Sequence, residues 1–193
     1  EKEININIEI PADAEAGGHY AALFVGPKET TTTPGMVTTI GKIGSLFLLR
    51  IEGLINEKAE IKEFSSPVSF YHSGPINFLL RLENQGNVHL KPKGKIEIKN
   101  IFNKKVGETD ANPKAGNVLP QSIRKYESSW DKKWMIGKYT ASANIYYGNS
   151  NQLIQKEISF WVIPVVKILI GLGILIVIII LLALIIKKYN QWI

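Results

Sequence analysis

Residues 168–186 form a run of 19 without a charge, almost all of them Ile, Leu, Val, Gly or Ala. At 1.5 Å per residue that is about 28 Å of helix, close to the hydrocarbon thickness of a bilayer. A backbone in lipid finds no water to satisfy its polar groups. A single spanning segment is therefore helical, whatever the middling aqueous propensity of Val and Ile. A core helix of a water-soluble domain keeps a polar face over about five turns, and this run has none. Pro164 stands just before it, where proline opens a helix without breaking one. Trp161 flanks the run on one side, and Tyr189 and Trp192 on the other, as interfacial aromatics do. Lys187 and Lys188 abut its C-terminal end, against Lys167 alone at the other, and a long polar body precedes it. The expectation is a single-pass anchor at 164–186 in the lipid bilayer of the cell membrane, with the body outside and a short cytoplasmic tail at 187–193. Gly171-x-Gly173 is not the small-xxx-small spacing of closely packed helix pairs, and no oligomeric state is read from it.

Composition narrows the function classes. The chain has 193 residues, 23 Lys and Arg against 17 Asp and Glu, a net charge of +6, and no cysteine. Glu157 is the last acidic residue, so residues 1–164 hold 20 basic and 17 acidic side chains. That small, unclustered excess excludes a strongly basic nucleic-acid-binding body. The lack of cysteine excludes a disulfide scaffold, a thiolate metal site and a cysteine nucleophile. His19, His72 and His89 share no zinc-ligand spacing and neighbour no nucleophile motif. The acids form no pair suited to proton transfer, and Asp110 lacks the acidic partners of a calcium loop. The one G-x-G lies inside the apolar run. No catalytic residue, cofactor or metal ligand is therefore named, and a non-enzymatic role is expected.

The body reads as strands. Ile4-Asn5-Ile6-Asn7-Ile8-Glu9-Ile10 alternates apolar and polar without error. Phe78, Leu80 and Leu82 alternate with Asn77, Arg81 and Glu83, though Leu79 joins the polar side. Lys95 to Lys99 alternates, as do Tyr139, Ala141, Ala143, Ile145 and Tyr147, and then Ile158, Phe160 and Val162. Turn signals separate them: Asn84-Gln85-Gly86-Asn87, Lys91-Pro92-Lys93-Gly94, Asn112-Pro113-Lys114-Ala115-Gly116 and Gly148-Asn149-Ser150-Asn151. No ten-residue stretch before Pro164 carries a helical stripe. The prediction is an all-β, antiparallel, immunoglobulin-like sandwich at 54–163.

One pattern occurs twice. Gly18-His19-Tyr20-Ala21-Ala22 and Gly137-Lys138-Tyr139-Thr140-Ala141 share G-x-Y-x-A, each opening an alternating strand. In immunoglobulin-like sandwiches a tyrosine there turns its hydroxyl back onto the preceding corner, a role predicted for both Tyr20 and Tyr139. Residues 54–136 leave room for five strands before the second tyrosine, whereas only one, at 2–10, precedes the first. Residues 1–53 are then the last three strands of a similar partial sandwich, at 2–10, 20–26 and 37–53, with a Thr-rich hairpin loop at 26–36. Together with Glu1 in first place and no signal peptide, this gives the expectation of the C-terminal part of a longer secreted precursor, or a gene fragment.

Two features point to binding. Tyr126, Trp130, Lys132, Lys133 and Trp134 form an aromatic and basic cluster that, gathered on one surface, stacks on sugars or meets acidic wall polymers. The simpler reading puts one tryptophan in the core and the other on its rim. The second is the loop Gly26 to Met36, with Thr30-Thr31-Thr32-Thr33-Pro34, whose simplest reading is a hairpin connection. Sheet edges are a third, less specific option, since an edge accepts a partner's strand.

Ile10-Pro11-Ala12-Asp13-Ala14 with Gly17-Gly18-His19-Tyr20 and Leu23-Phe24 resembles the end of the DUF916 domain. Leu80-Arg81-Leu82-Glu83-Asn84-Gln85-Gly86-Asn87-Val88-His89-Leu90-Lys91-Pro92 is similar to the N-x-G-N-x-H-x-x-P signature of the DUF3324 domain that follows it. Val118-Leu119-Pro120-Gln121-Ser122, Gly137-Lys138-Tyr139 and the terminal span with a basic tail extend the resemblance. This is the layout of Gram-positive WxL-interacting proteins. The resemblance implies an immunoglobulin-like module that holds a partner protein, or peptidoglycan, at the cell surface. Beside it stand a passive stalk that spaces an N-terminal domain from the membrane, and the anchor of an enzyme whose catalytic domain lies upstream.

Overall fold

The computed structural model describes residues 3–27 and 41–190, with side chains as far as Lys187. The predicted loop residues 30–34, the start of the predicted 37–53 strand, and the side chains of Lys188, Tyr189 and Trp192 lie outside the described residues. Strands β1 (Gly17–Val25) and β2 (Ile43–Ile51) pair antiparallel, Gly17 opposite Ile51 and Val25 opposite Ile43. The sandwich follows as β3 (Ala59–Ser65), β4 (Phe70–Tyr71), β5 (Ile76–Asn84), β6 (Lys93–Asn100), β7 (Lys105–Asp110), β8 (Ser122–Trp130), β9 (Gly137–Tyr147) and β10 (Gln152–Val162). Helix α1 (Val165–Asn190) closes the chain.

One sheet has the order β3-β5-β8 and the other β4-β10-β9-β6-β7. All pairs are antiparallel except the short β4 against β10. The chain crosses between the sheets from β5 to β6, from β7 to β8 and from β8 to β9, while β6–β7 and β9–β10 are hairpins within one sheet, the Greek-key arrangement of immunoglobulin-like domains. Five full strands plus the two-residue β4 precede the strand that carries Tyr139.

The period of two dictates which side chains meet between the sheets. Ile76, Phe78, Leu80 and Leu82 of β5, Ile96 and Ile98 of β6, and Tyr139, Ala141, Ala143 and Ile145 of β9 are all buried. Phe160 and Val162 of β10 complete the facing layer. Tyr139 stacks on Phe160 at 5.8 Å, and Phe78 meets Phe160 edge-on at 6.0 Å. Each fully buried Ile, Leu, Val or Phe among them contributes about 1.5–3 kcal/mol through area removed from water.

The motif after β5 is a clasp. Asn84 is fully buried; its amide donates to the Val88 carbonyl at 2.7 Å and the Val118 carbonyl at 3.0 Å, and its Oδ1 accepts from the Gly86 N–H. Asn87 Oδ1 accepts from the Asn56 N–H at 2.8 Å, and its amide donates to the Leu54 carbonyl at 2.9 Å. The Asn87 carbonyl in turn accepts from the Gly18 N–H at 2.8 Å. A Cβ on Gly86 would run into the Asn56 carbonyl, so only glycine lets the linker pass this close.

The structure departs from the predicted first strand. Residues 4–10 pair with no neighbour, and Ile4, Ile6, Ile8 and Ile10 are exposed. Alternation specifies an extended chain with one apolar face, but a strand also needs an edge to pair with in register, and residues 4–10 lie on neither outer edge of the β1–β2 hairpin. Strand β2 begins at Ile43, inside the predicted 37–53 strand. From Val165 to Lys187, 23 residues are long and apolar enough to cross a membrane, and none is buried in protein. Pro164 caps them: its carbonyl accepts from the Ile168 N–H at 3.0 Å.

Candidate functional site

Strand direction gives the sandwich two distinct ends. β10 runs toward α1, and the β9 and β6 registers place Gly137 and Asn100 beside its last residues. The loops after β3, β6 and β8 therefore lie at the helix end. The loops after β5, β7 and β9 lie at the far end, where the β1–β2 hairpin docks.

The aromatic and basic cluster expected at 126–134 is not one surface. Tyr126 and Trp130 sit four apart on β8, hence on one face, and that face is the core: both are buried. The Tyr126 hydroxyl donates to the Gly116 carbonyl at 3.0 Å, and burial pushes its pKa up to about 12. Trp130 packs on Gly107 and meets Tyr139 edge-on at 6.0 Å. Lys132 holds its amine 5.5 Å over the Trp130 ring and donates to the Val106 carbonyl at 3.5 Å. Lys133 is exposed, and Trp134 is 77% exposed at the helix end, with the Lys167 amine 3.9 Å over its ring.

The two repeated tyrosines differ. Tyr139 is buried, and its hydroxyl donates to the Ile136 carbonyl and accepts from the Ile136 N–H, both at 3.3 Å. That is a bond back onto the corner preceding the strand. Tyr20 makes no such bond. Its hydroxyl lies over Gly18, and its ring meets the His89 imidazole edge-on at 5.9 Å. The same local pattern thus serves a corner in one place and a junction in the other. Trp161 lies beside Phe70 near the end of β10, partly exposed, and Lys187 is exposed where the apolar run ends.

At the far end, sequence reasoning missed a cleft of about 560 Å³ lined by Arg50, Glu57, His89, Lys91, Lys93 and Tyr146, among others. Arg50 pairs with Glu57 at 2.6 Å, and the second Glu57 oxygen accepts from the Asn149 N–H at 2.8 Å. Gly148, at φ 72°, brings the turn so close that a Cβ would strike the Glu57 carboxylate. Desolvation and then the Arg50 charge hold the His89 pKa below its ordinary 6.5, and its Nδ1 is buried without a partner. With Glu57 engaged by Arg50, Lys91 and Lys93 leave the cleft cationic, and Asn117 and Asn151 add amides to its lining. Such a lining suits an acidic or polyhydroxyl chain. Lys91-Pro92-Lys93 and Gly148-Asn149 were legible as turns, but nothing in their local pattern brings them to Arg50. Among the described residues no three acids or histidines gather in a metal-ligating group.

No family model matches the chain, and no curated protein matches it. Among solved structures, it is similar to the C-terminal domain of wzt at 16% identity and a TM-score of 0.42, over 57% of this chain and 79% of that one. It is also similar to a structural-genomics target, SoR45, at 15% identity and a TM-score of 0.30, over 55% of this chain and 84% of that one. Both likenesses are distant, and the assignment of the fold rests on the strand order and register above.

Proposed function

We propose that this chain is a single-pass cell-surface protein with a non-catalytic immunoglobulin-like ectodomain that binds a surface protein or cell-wall polymer at the end far from the membrane. The observation that carries the reading is the opposition of the two ends. The apolar helix leaves one, and the cationic cleft opens at the other, about 35 Å away by the length of β10. An anchor placed there directs the cleft away from the bilayer. The lysine pair after the apolar run and the polar body before it favour an outside body and an inside tail. The resemblance to DUF916 and DUF3324 proteins supports the same class of partner, and here the resembling asparagines and glycine are the clasp rather than the cleft.

The test is capture by the soluble ectodomain, residues 3–163, from bacterial surface extract and on purified peptidoglycan. The expected result is saturable binding, weakened about tenfold by Lys91→Ala with Lys93→Ala. Both lysines are exposed, so the double variant should unfold at the parent's temperature. Binding that ignores the double variant removes the cleft from the proposal.

One observation favours a stalk instead. The hairpin touches the sandwich through its Gly18 end, while Phe24, Ile43 and Leu46 on it remain exposed. A folded ectodomain that captures neither protein nor wall would establish that reading.

A further inference from the structure

The end of the sandwich from which the helix leaves is not finished like a water-facing surface. Three loops converge there: residues 66–75 after β3, 101–104 after β6, and 131–136 after β8. Each presents a large, exposed apolar side chain. Phe70 stands on the first, Ile101 and Phe102 on the second, and Trp134 and Ile136 on the third. Ile101 and Phe102 occupy the tip of a β-hairpin, a place where polar turn residues are the rule. They are 68% and 85% exposed. The tip is also held firmly. Asn100 Oδ1 accepts from both the Phe102 and Lys104 N–H groups at 3.0 Å, and Asn103 takes a left-handed φ of 60°.

Cations ring this apolar tip. Lys104, Lys133 and Lys138 are exposed there, and Asp131 is the one acidic residue in the three loops. Only Ile163 and Pro164 separate the last residue of β10 from the first of α1, so at most about 10 Å of chain lies between the sheet and the helix. The Lys167 amine over the Trp134 ring further draws the β8–β9 loop against the helix's first turn.

We propose that this end of the sandwich docks into the surface of the same bilayer, with Phe102, Ile101 and Trp134 in the interfacial layer and Lys104, Lys133 and Lys138 on anionic headgroups. The inference rests on the anchoring proposed above. A bilayer is the occupant that the helix itself delivers to this end, and aromatic residues flanked by lysines are the side chains that settle at its interface. Docked in this way, the sandwich stands upright on the membrane and holds its far end at a fixed height, rather than swinging on a two-residue hinge.

The chain has no cysteine, so single nitroxide labels can be placed on the full-length protein in nanodiscs holding one chain each. Labels at Ile180→Cys, Phe102→Cys and Ser150→Cys report the span, the proposed contact and the far end. The expected result is a lipid environment at 180 and free access of a water-soluble nickel chelate at 150. At 102, chelate access should be about threefold or more below that at 150 in discs containing anionic lipid. Adding Lys104→Glu and Lys133→Glu should restore much of the access at 102 without changing the label at 180. A label at 102 as open to the chelate as that at 150, with 180 still in lipid, overturns docking and leaves the anchor standing. Protection at 102 that appears only in discs holding two chains assigns the patch to a second copy and overturns docking as well. A water-exposed label at 180 overturns both readings.

Discussion

Asn84 and Tyr139 hold their corners by polar bonds inside an apolar core, and they differ in how much rests on each. Asn84 satisfies three backbone groups at once, so Asn84→Ala leaves the Val88 and Val118 carbonyls and the Gly86 N–H without that partner. Urea unfolding should show a loss of about 3 kcal/mol, and a loss below about 1 kcal/mol would mean the clasp is not structural. Tyr139→Phe removes two longer bonds and keeps the stacking on Phe160, so the expected loss is smaller, about 1 kcal/mol. A change indistinguishable from zero would detach the hydroxyl from the stability of the corner. His89 carries a pH dependence. Its folded pKa lies below the ordinary 6.5, so the unfolded state takes up protons first as pH falls. The stability it contributes is complete above that ordinary value and is lost as pH drops below it. An NMR titration of the His89 ring should give a midpoint under 6.5; a midpoint above it would contradict the half-buried placement beside Arg50. At this scale the sequence was an uneven guide. Gly137-x-Tyr139 announced its bond, but Gly18-x-Tyr20 has the same spelling and sets its ring against His89, because what the tyrosine reaches depends on the neighbouring unit.

At the scale of elements, the strands of the sandwich were legible because one face of each is buried, and a period of two then writes itself into residues such as Ile76, Phe78, Leu80 and Leu82. The same period was overread at 4–10, where an apolar face exists without a strand to pair with. Around β8 the simpler reading, one tryptophan in the core and the other on its rim, matches Trp130 and Trp134, but Tyr126, on the Trp130 face by spacing alone, was left with the binding surface instead of the core. The turn at 84–87 was visible as a turn, but its work as a clasp was not, since Asn56 and Leu54 lie some thirty residues upstream. Gly86→Ala tests that role directly. The added methyl meets the Asn56 carbonyl, so the linker must shift, and amide exchange at Gly18, whose N–H bonds to Asn87, should speed up markedly relative to that in β9. Unchanged exchange at Gly18 would show that the hairpin is held by other contacts.

For the whole molecule, the apolar run carried the most information of any segment, because no packing arrangement within a small sandwich could bury it. What the linear chain could not express is polarity of the whole. Which loops face the helix and which face away follows from the strand order, and the strand order is set by pairings between distant residues. From that order come both a cleft at the far end and an aromatic rim at the near one. Both depend on the body standing on the outer face of the membrane. Labelling of Ser150→Cys in the full chain by a membrane-impermeant maleimide, on intact cells that express it, tests this most directly. The predicted result is modification from outside without lysis, with Ile180→Cys unreactive and the chain retained in membranes after alkaline carbonate washing. A Ser150→Cys that reacts only after lysis, or a chain that washes free, would contradict it.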